Sequence, residues 1–216
     1  MTAHEREKQL LRLIPATWND LDVLANLMVQ LYNAELPGSL RGPLAGQRAL
    51  MRYFLEQSGP EGLRGRYVAV DDDGAIVGSA AMRLHGDPDV GVLPAGTLRA
   101  AVRYLGLINT LQLFSTMLRA ALAPETQLEP QSAYIHSVVI DAEWRGQGLG
   151  HGLMAAIEQV AQDRGARTCV LRVITSNTSA RRLYQRLGYQ VIERTPPWME
   201  WTEWLTFPSE IMTKRL

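Results

Sequence analysis

Four glycines, Gly146, Gly148, Gly150 and Gly152, stand at alternate positions where one periodicity gives way to another. Before them, Tyr134–Ile140 is a run of apolar and β-branched residues of strand length. After them, Leu149, Leu153, Ile157 and Val160 recur at the spacing of one helix face, as far as Gly165. A strand that turns through glycines into a helix leaves the first helical N–H groups without partners, at the positive end of the helix dipole. Glycine lets that backbone approach a ligand closely. The chain must therefore fold so that this strand end and helix start meet, and the junction suits a phosphate or pyrophosphate.

The rest of the pattern says what surrounds the junction. Gln9–Ile14 reads as a strand closed by Pro15, and Thr17, with Asp20 three residues on, opens a helix carrying Leu21, Leu24, Leu27, Met28 and Leu31. Pro37 and Gly38 break it, and a second helix covers Pro43–Gln57 up to Gly59 and Pro60. Tyr67–Val70 and Ala75–Leu84 flank a turn cluster, Asp71–Gly74, and predict a hairpin. Gly86–Gly96 is a loop, Thr97–Ala123 a long helix or a helical hairpin broken near Gly106, and Pro124–Pro130 a connector. Thr168–Ile174 is a strand, Asn177–Leu187 a helix stopped by Gly188, and Tyr189–Glu193 a last strand before Pro196 and Pro197. The order β-α-α-β-β-insert-β-α-β-α-β predicts an α/β chain with a mixed sheet rather than an all-parallel one. With 216 residues and no linker, one domain over 1–216 is expected.

Two familiar phosphate loops fail on this sequence. A nucleoside-triphosphate loop needs Lys and Ser or Thr after its glycines, and no lysine follows here. A dinucleotide loop needs an acidic residue about 20 positions on, where Val170, Leu171 and Arg172 stand. A third pattern fits in register: Arg145, Gly148 and Gly150 satisfy R/Q-x-x-G-x-G/A. Together with "SVVIDAEWRGQGLG" before it and "NTSARRLYQRLGYQVIER" after it (Asn177, Ala180, Leu183, Tyr184, Gly188, Tyr189), it resembles the GNAT superfamily of acyl-CoA N-acyltransferases. The likeness covers the chain except 86–130 and the tail after Thr195.

That resemblance implies a GNAT fold: a mixed, mostly antiparallel sheet with helices on both faces, here with a helical insertion at about 86–130 between the third and fourth strands. It implies acetyl-CoA as the acyl donor, with no metal, and a small-molecule or peptide amine as acceptor. The pyrophosphate would lie on the amides of Arg145, Gly146, Gln147, Gly148, Leu149 and Gly150, and the pantetheine would bond the backbone of Val138, Val139 and Ile140 as an added strand. Tyr184 matches the tyrosine that protonates the departing thiolate, with a core tyrosine as its plain alternative. Asn177 is a helix cap, a coenzyme contact or both. His136 is the candidate base; a histidine satisfied within the sheet is the competing reading. Tyr134 shares its face by two-residue alternation and would line the acceptor site. His85 and His151 are weaker candidates. A non-catalytic acyl-CoA sensor, and a transferase for longer acyl groups, remain as alternatives.

Charge and composition narrow the partners. Lys and Arg number 22, as do Asp and Glu, so no excess charge favours nucleic acid. The lone Cys169 allows no intrachain disulfide and reads as a small buried residue. The N-terminal residues lack the apolar core of a signal peptide, and Tyr104–Leu118 is too short and polar for a membrane span, so a cytoplasmic protein without stable membrane insertion is expected. The apolar face of the 86–130 insert would pack on the body, cover the acceptor site or form a homodimer surface. Trp198, Trp201 and Trp204 mark a tryptophan-rich segment, 196–216, expected to be buried support.

Overall fold

In the computed structural model, residues 11–36, 38–87, 93–121, 128–195 and 207–216 are described. Strand β1 (Arg12–Pro15) leads through a short 3-10 turn at Trp18–Asp20 into α1 (Leu21–Glu35). The entry is a capping box: Thr17 accepts from Asn19 N at 3.3 Å, and the Asp20 carboxylate accepts from Thr17 N at 2.7 Å. Then come α2 (Leu44–Gln57), α3 (Gly59–Leu63), β2 (Arg66–Val70) and β3 (Ile76–Leu84). Gly59 and Pro60, which read as a stop, start α3 instead, because proline fits the first turn of a helix. Two helices, α4 (Thr97–Leu105) and α5 (Leu107–Ala121), precede β4 (Ser132–Ile140); Gly106, at φ 80°, separates them. The chain continues through α6 (Leu149–Asp163), β5 (Thr168–Ile174), α7 (Thr178–Arg186), β6 (Gln190–Arg194) and β7 (Ser209–Arg215).

These strands form one seven-stranded sheet in the order β1-β2-β3-β4-β5-β7-β6. Every neighbouring pair is antiparallel except β4 and β5. The expected mixed sheet is thus present, but β7 is an element the sequence did not announce. It enters between β5 and β6 although its SEIMTKR sequence looks polar. Its two charged interior residues are answered inside the fold. Arg181 on α7 grips the Glu210 carboxylate at 2.8 and 2.9 Å, and Lys214 reaches Glu158 on α6 at 2.6 Å. Glu210 is consequently 2% exposed.

The sheet divides two apolar layers. On one face α6 presents Leu153, Met154 and Ile157, all fully buried, to Val77, Ala133, Ile135 and Leu171. Each such side chain contributes roughly 2–3 kcal/mol by leaving water. On the other face Leu24 and Val29 of α1, Leu50, Met51 and Leu55 of α2, and Ala101 and Leu105 of α4 close over Val68. Trp198, Trp201 and Trp204 lie outside the described residues. No described helix is long and apolar enough to cross a membrane.

Candidate active site

The parallel pair β4–β5 is joined for only four residues. Ser132–Ile135 pair with Thr168–Leu171, and then the two strands part. Beyond that point Arg172–Ile174 pair with β7, while His136, Val139 and Ile140 pair with β3. The edge of β4 that faces β5 is therefore left without a ladder partner, an opening that an extended ligand can fill by main-chain bonding.

A bulge opens the sheet at the same place. Between Ser79 and Ala81 of β3, β4 advances from Val139 to His136, one residue more than its partner. The extra residue is Ser137, held at φ 53° in the left-handed region. The insertion reverses the alternation that follows. Ala133 and Ile135 face the α6 layer, and so do Val138 and Ile140, whereas Val139 turns to Leu27 and Leu31 of α1. Tyr134 and His136 lie on the α1 side, their rings stacked at 5.8 Å and 21°. His136 Nδ1 also meets Ser137 Oγ at 3.1 Å.

At the far end of β4 the glycine junction forms as the sequence requires. Gly148, at φ 81°, is the N-cap of α6, a conformation that only glycine adopts without strain, and the space above it is open. Gly150 serves a different purpose: a Cβ there would stand 3.2 Å from Leu183 Cδ2, so its absence lets α7 pack against α6. Leu149 sends its side chain into the core, leaving only its backbone for a ligand, and Gln147 is half-buried on the loop.

Arg145 does not project freely. Its Nε donates to the Ile140 carbonyl at 2.9 Å, and its Nη2 to Gln30 Oε1 at 3.0 Å. Gln30 Oε1 also accepts from Ala142 N at 2.8 Å, and Gln30 Nε2 donates to Asp141 at 3.0 Å. Asp141 in turn caps Glu143 N at 3.0 Å. This half-buried glutamine on α1 thus clamps the loop. Nothing in its sequence context distinguishes it from a solvent-facing residue. A cavity of about 700 Å³ opens beside the clamp, between α1, the start of α2 and the loop. It includes none of Tyr134, His136 or Tyr184.

Tyr184 is buried, on α7, with its ring 5.8 Å from that of Tyr189. Burial holds its phenol well above the usual tyrosine range, and the charges of Glu35 and Tyr134 push the same way. It stays protonated at neutral pH and is available as an acid. Tyr134 is likewise raised by burial, against the opposing pull of Arg172 and Arg83; the Arg83 guanidinium lies 5.4 Å from its ring centre. Asn177 caps α7, its carbonyl oxygen accepting from Ala180 N at 3.2 Å.

Glu35, the last residue of α1, was not singled out from the sequence. Burial lifts its carboxyl to about 7, and its charge is felt at both Tyr134 and Tyr184. The outlying histidines are not brought to the splay: His85 is exposed and bonds the Leu128 carbonyl at 2.7 Å, and His151 is exposed on α6. Cys169 is fully buried and its thiol is pushed up to about 12, so it is not a ready nucleophile. No metal-holding group of side chains occurs among the described residues.

Residues 28–189 match the profile of a family described as "Acetyltransferase (GNAT) family". An N-acetyltransferase of Bacillus subtilis, YycN, is 33% identical over 66 residues, 31% of this chain and 42% of that protein. The thialysine N-epsilon-acetyltransferase of Bos taurus is 31% identical over 68 residues, 32% of this chain and 40% of that protein. The matched stretch therefore spans well under half the length of these curated relatives. Among solved structures, the aminoglycoside acetyltransferase AAC(6')-Ib in complex with coenzyme A and kanamycin superposes with a TM-score of 0.57 at 19% identity, covering 95% of this chain and 94% of that one. That likeness is one of fold.

Proposed function

We propose that this chain, which belongs to the acetyltransferase (GNAT) family, transfers an acetyl group from acetyl-CoA to a primary amine by direct attack within a ternary complex. The parting of β4 and β5, with Tyr184 buried in the same apolar layer as Val138 and Ile140, is the observation that carries the reading. The free edge formed by Val138, Val139 and Ile140 bonds the pantetheine as an added strand. The pyrophosphate rests on the amides of Arg145, Gly146, Gln147, Gly148, Leu149 and Gly150, and the dipole of α6 favours its charge. Arg145 shapes this loop through Ile140 and Gln30 as well as adding positive charge.

The amine enters on the α1 side, past Tyr134 and His136. It must lose a proton, attack the thioester carbon and expel the thiolate. A β4 amide steadies the oxygen as negative charge develops on it. Tyr184 gives its proton to the thiolate, and His136 passes protons between the acceptor and water. The raised Cys169 thiol supports direct attack over an acetyl-cysteine relay. The test is thiol release from acetyl-CoA with thialysine, an alanine-initiated peptide and kanamycin as acceptors. Release that depends on one of them supports the reading. Tight acetyl-CoA binding without release from any of them favours a sensor.

A further inference from the structure

We infer that Glu35, at the C-terminal end of α1, takes the proton from the acceptor's ammonium group before the nitrogen attacks the thioester. The inference rests on the transferase reading and names the group that takes the first proton, ahead of the relay through His136.

Placement comes first. Leu27, Leu31 and Glu35 are spaced by four and share one face of α1. Leu27 and Leu31 pack on Val139, which the bulge at Ser137 has turned to the side that carries Tyr134 and His136. Glu35 stands one turn beyond Leu31, about 6 Å further along the same face. Its charge acts on Tyr134 of β4 and on Tyr184 of α7. One carboxylate thus lies within electrostatic range of both the acceptor wall and the proposed acid.

Its surroundings make it a base rather than an ornament of the surface. The ionisable groups within range of it are Tyr32 on its own helix, Tyr134 on β4, against which His136 is stacked, and Tyr184 on α7. Arg66 of β2 acts through Tyr32, and Arg172 of β5 and Arg83 of β3 through Tyr134. Glu35 is the one acidic residue in that set. Burial, not a neighbouring cation, sets its proton affinity near neutrality, where a general base is most effective. It also stands at the negative end of the α1 dipole, a place that disfavours a carboxylate.

The protons balance. An N–H bond of the ammonium breaks and its proton goes to a Glu35 oxygen, then to solvent. The neutral amine forms the N–C bond, and the C–S bond breaks as Tyr184 protonates the sulfur. The proton left on the new amide nitrogen returns to the Tyr184 phenolate.

The test compares the parent, Glu35→Gln and His136→Gln, using acetyl-CoA and whichever of the three amines the parent acetylates fastest. For the parent, kcat/KM rises with pH through about 7 as Glu35 loses its proton. Glu35→Gln lowers kcat/KM about 100-fold or more at pH 7 and removes that inflection. The deficit narrows as pH approaches the amine's own pKa, because a neutral amine needs no base. His136→Gln keeps the inflection. Thermal melting gives a readout independent of turnover. The folded pKa lies above its unfolded value, so the native state binds the extra proton and the parent loses stability between about pH 4.5 and 7. Glu35→Gln therefore melts higher than the parent at pH 8, and the gap closes towards pH 4.5. An unimpaired Glu35→Gln variant of a transferring parent, an inflection that survives in it, or equal melting at all pH values overturns the role of Glu35 alone. A parent that binds acetyl-CoA but acetylates no amine overturns the transferase reading and this role with it.

Discussion

Gln30→Ala isolates the clamp between α1 and the glycine loop. The substitution deletes three hydrogen bonds, from Ala142 N at 2.8 Å, from Arg145 at 3.0 Å and to Asp141 at 3.0 Å. Each such bond is worth roughly 0.5–1.5 kcal/mol net, and a half-buried site sits towards the lower end, so about 2 kcal/mol is removed in all. If holding the loop is what those bonds do, the cost falls on donor binding, because the ligand must then order the loop itself. An affinity loss of ~30-fold is the ceiling, and 5–30-fold is expected. Calorimetric titration with acetyl-CoA measures it, and kcat at saturating donor should stay within about twofold, since the clamp touches no reacting atom. Gln30→Glu keeps the acceptor for Ala142 and Arg145 but sets a carboxylate against Asp141, and should fall between parent and Gln30→Ala. Unchanged acetyl-CoA affinity in Gln30→Ala, with only a lower melting temperature, would refute the reasoning: the clamp would then brace the fold and not the donor site.

Three further outcomes test other parts of the site. Tyr184→Phe should lower kcat ~10–100-fold while acetyl-CoA affinity stays within about threefold, read by steady-state kinetics and titration. Equal kinetics for variant and parent remove its acid role. At the bulge, Ser137→Gly should be neutral or stabilising by up to about 1 kcal/mol, and Ser137→Val should cost about 1–2 kcal/mol, because only glycine relaxes at φ 53°. Denaturant unfolding ranks the pair, and equal stability denies the strain. Gly150→Leu should cost roughly 1–3 kcal/mol and slow turnover, since the side chain displaces Leu183 and with it the helix that carries Tyr184. Full activity in that variant would mean that α7 repacks without moving Tyr184.

The elements that the sequence made legible are those with one dominant local cause. Capping at Thr17, the Asp71–Gly74 turn and the junction at Gly148 each follow from a residue whose chemistry leaves few choices. The splay itself was readable only through a resemblance, since no residue marks where a ladder ends. What stayed hidden depends on partners distant in the chain. β7 reads as polar because Glu210 and Lys214 find Arg181 and Glu158 only in the folded state. Ser137 carries no signal of its left-handed turn, being neither glycine nor asparagine. Gln30 and Glu35 look like ordinary polar positions on an amphipathic helix until β4 and its loop are laid against them.

One irregularity links these hidden features. Were Ser137 paired as a regular strand residue, strict alternation would place Val139 with Ile135 in the α6 layer and bring Val138 to the side of Tyr134 and His136. Leu27 and Leu31 would lose Val139, the residue on which α1 is seated beside the opening. The register shift follows directly on the last residues that β4 pairs with β5, and a bulged strand bends and twists locally. A left-handed serine, at a cost of roughly 1 kcal/mol, thus lies beside both the free edge of β4 and the seat of α1. On the proposed reading, donor and acceptor sites cannot then be altered independently through this strand. A change at Ser137 that restored regular pairing would disturb acetyl-CoA affinity and the environment of Glu35 together, whereas changes at Gln30 or Glu35 should each affect one of them.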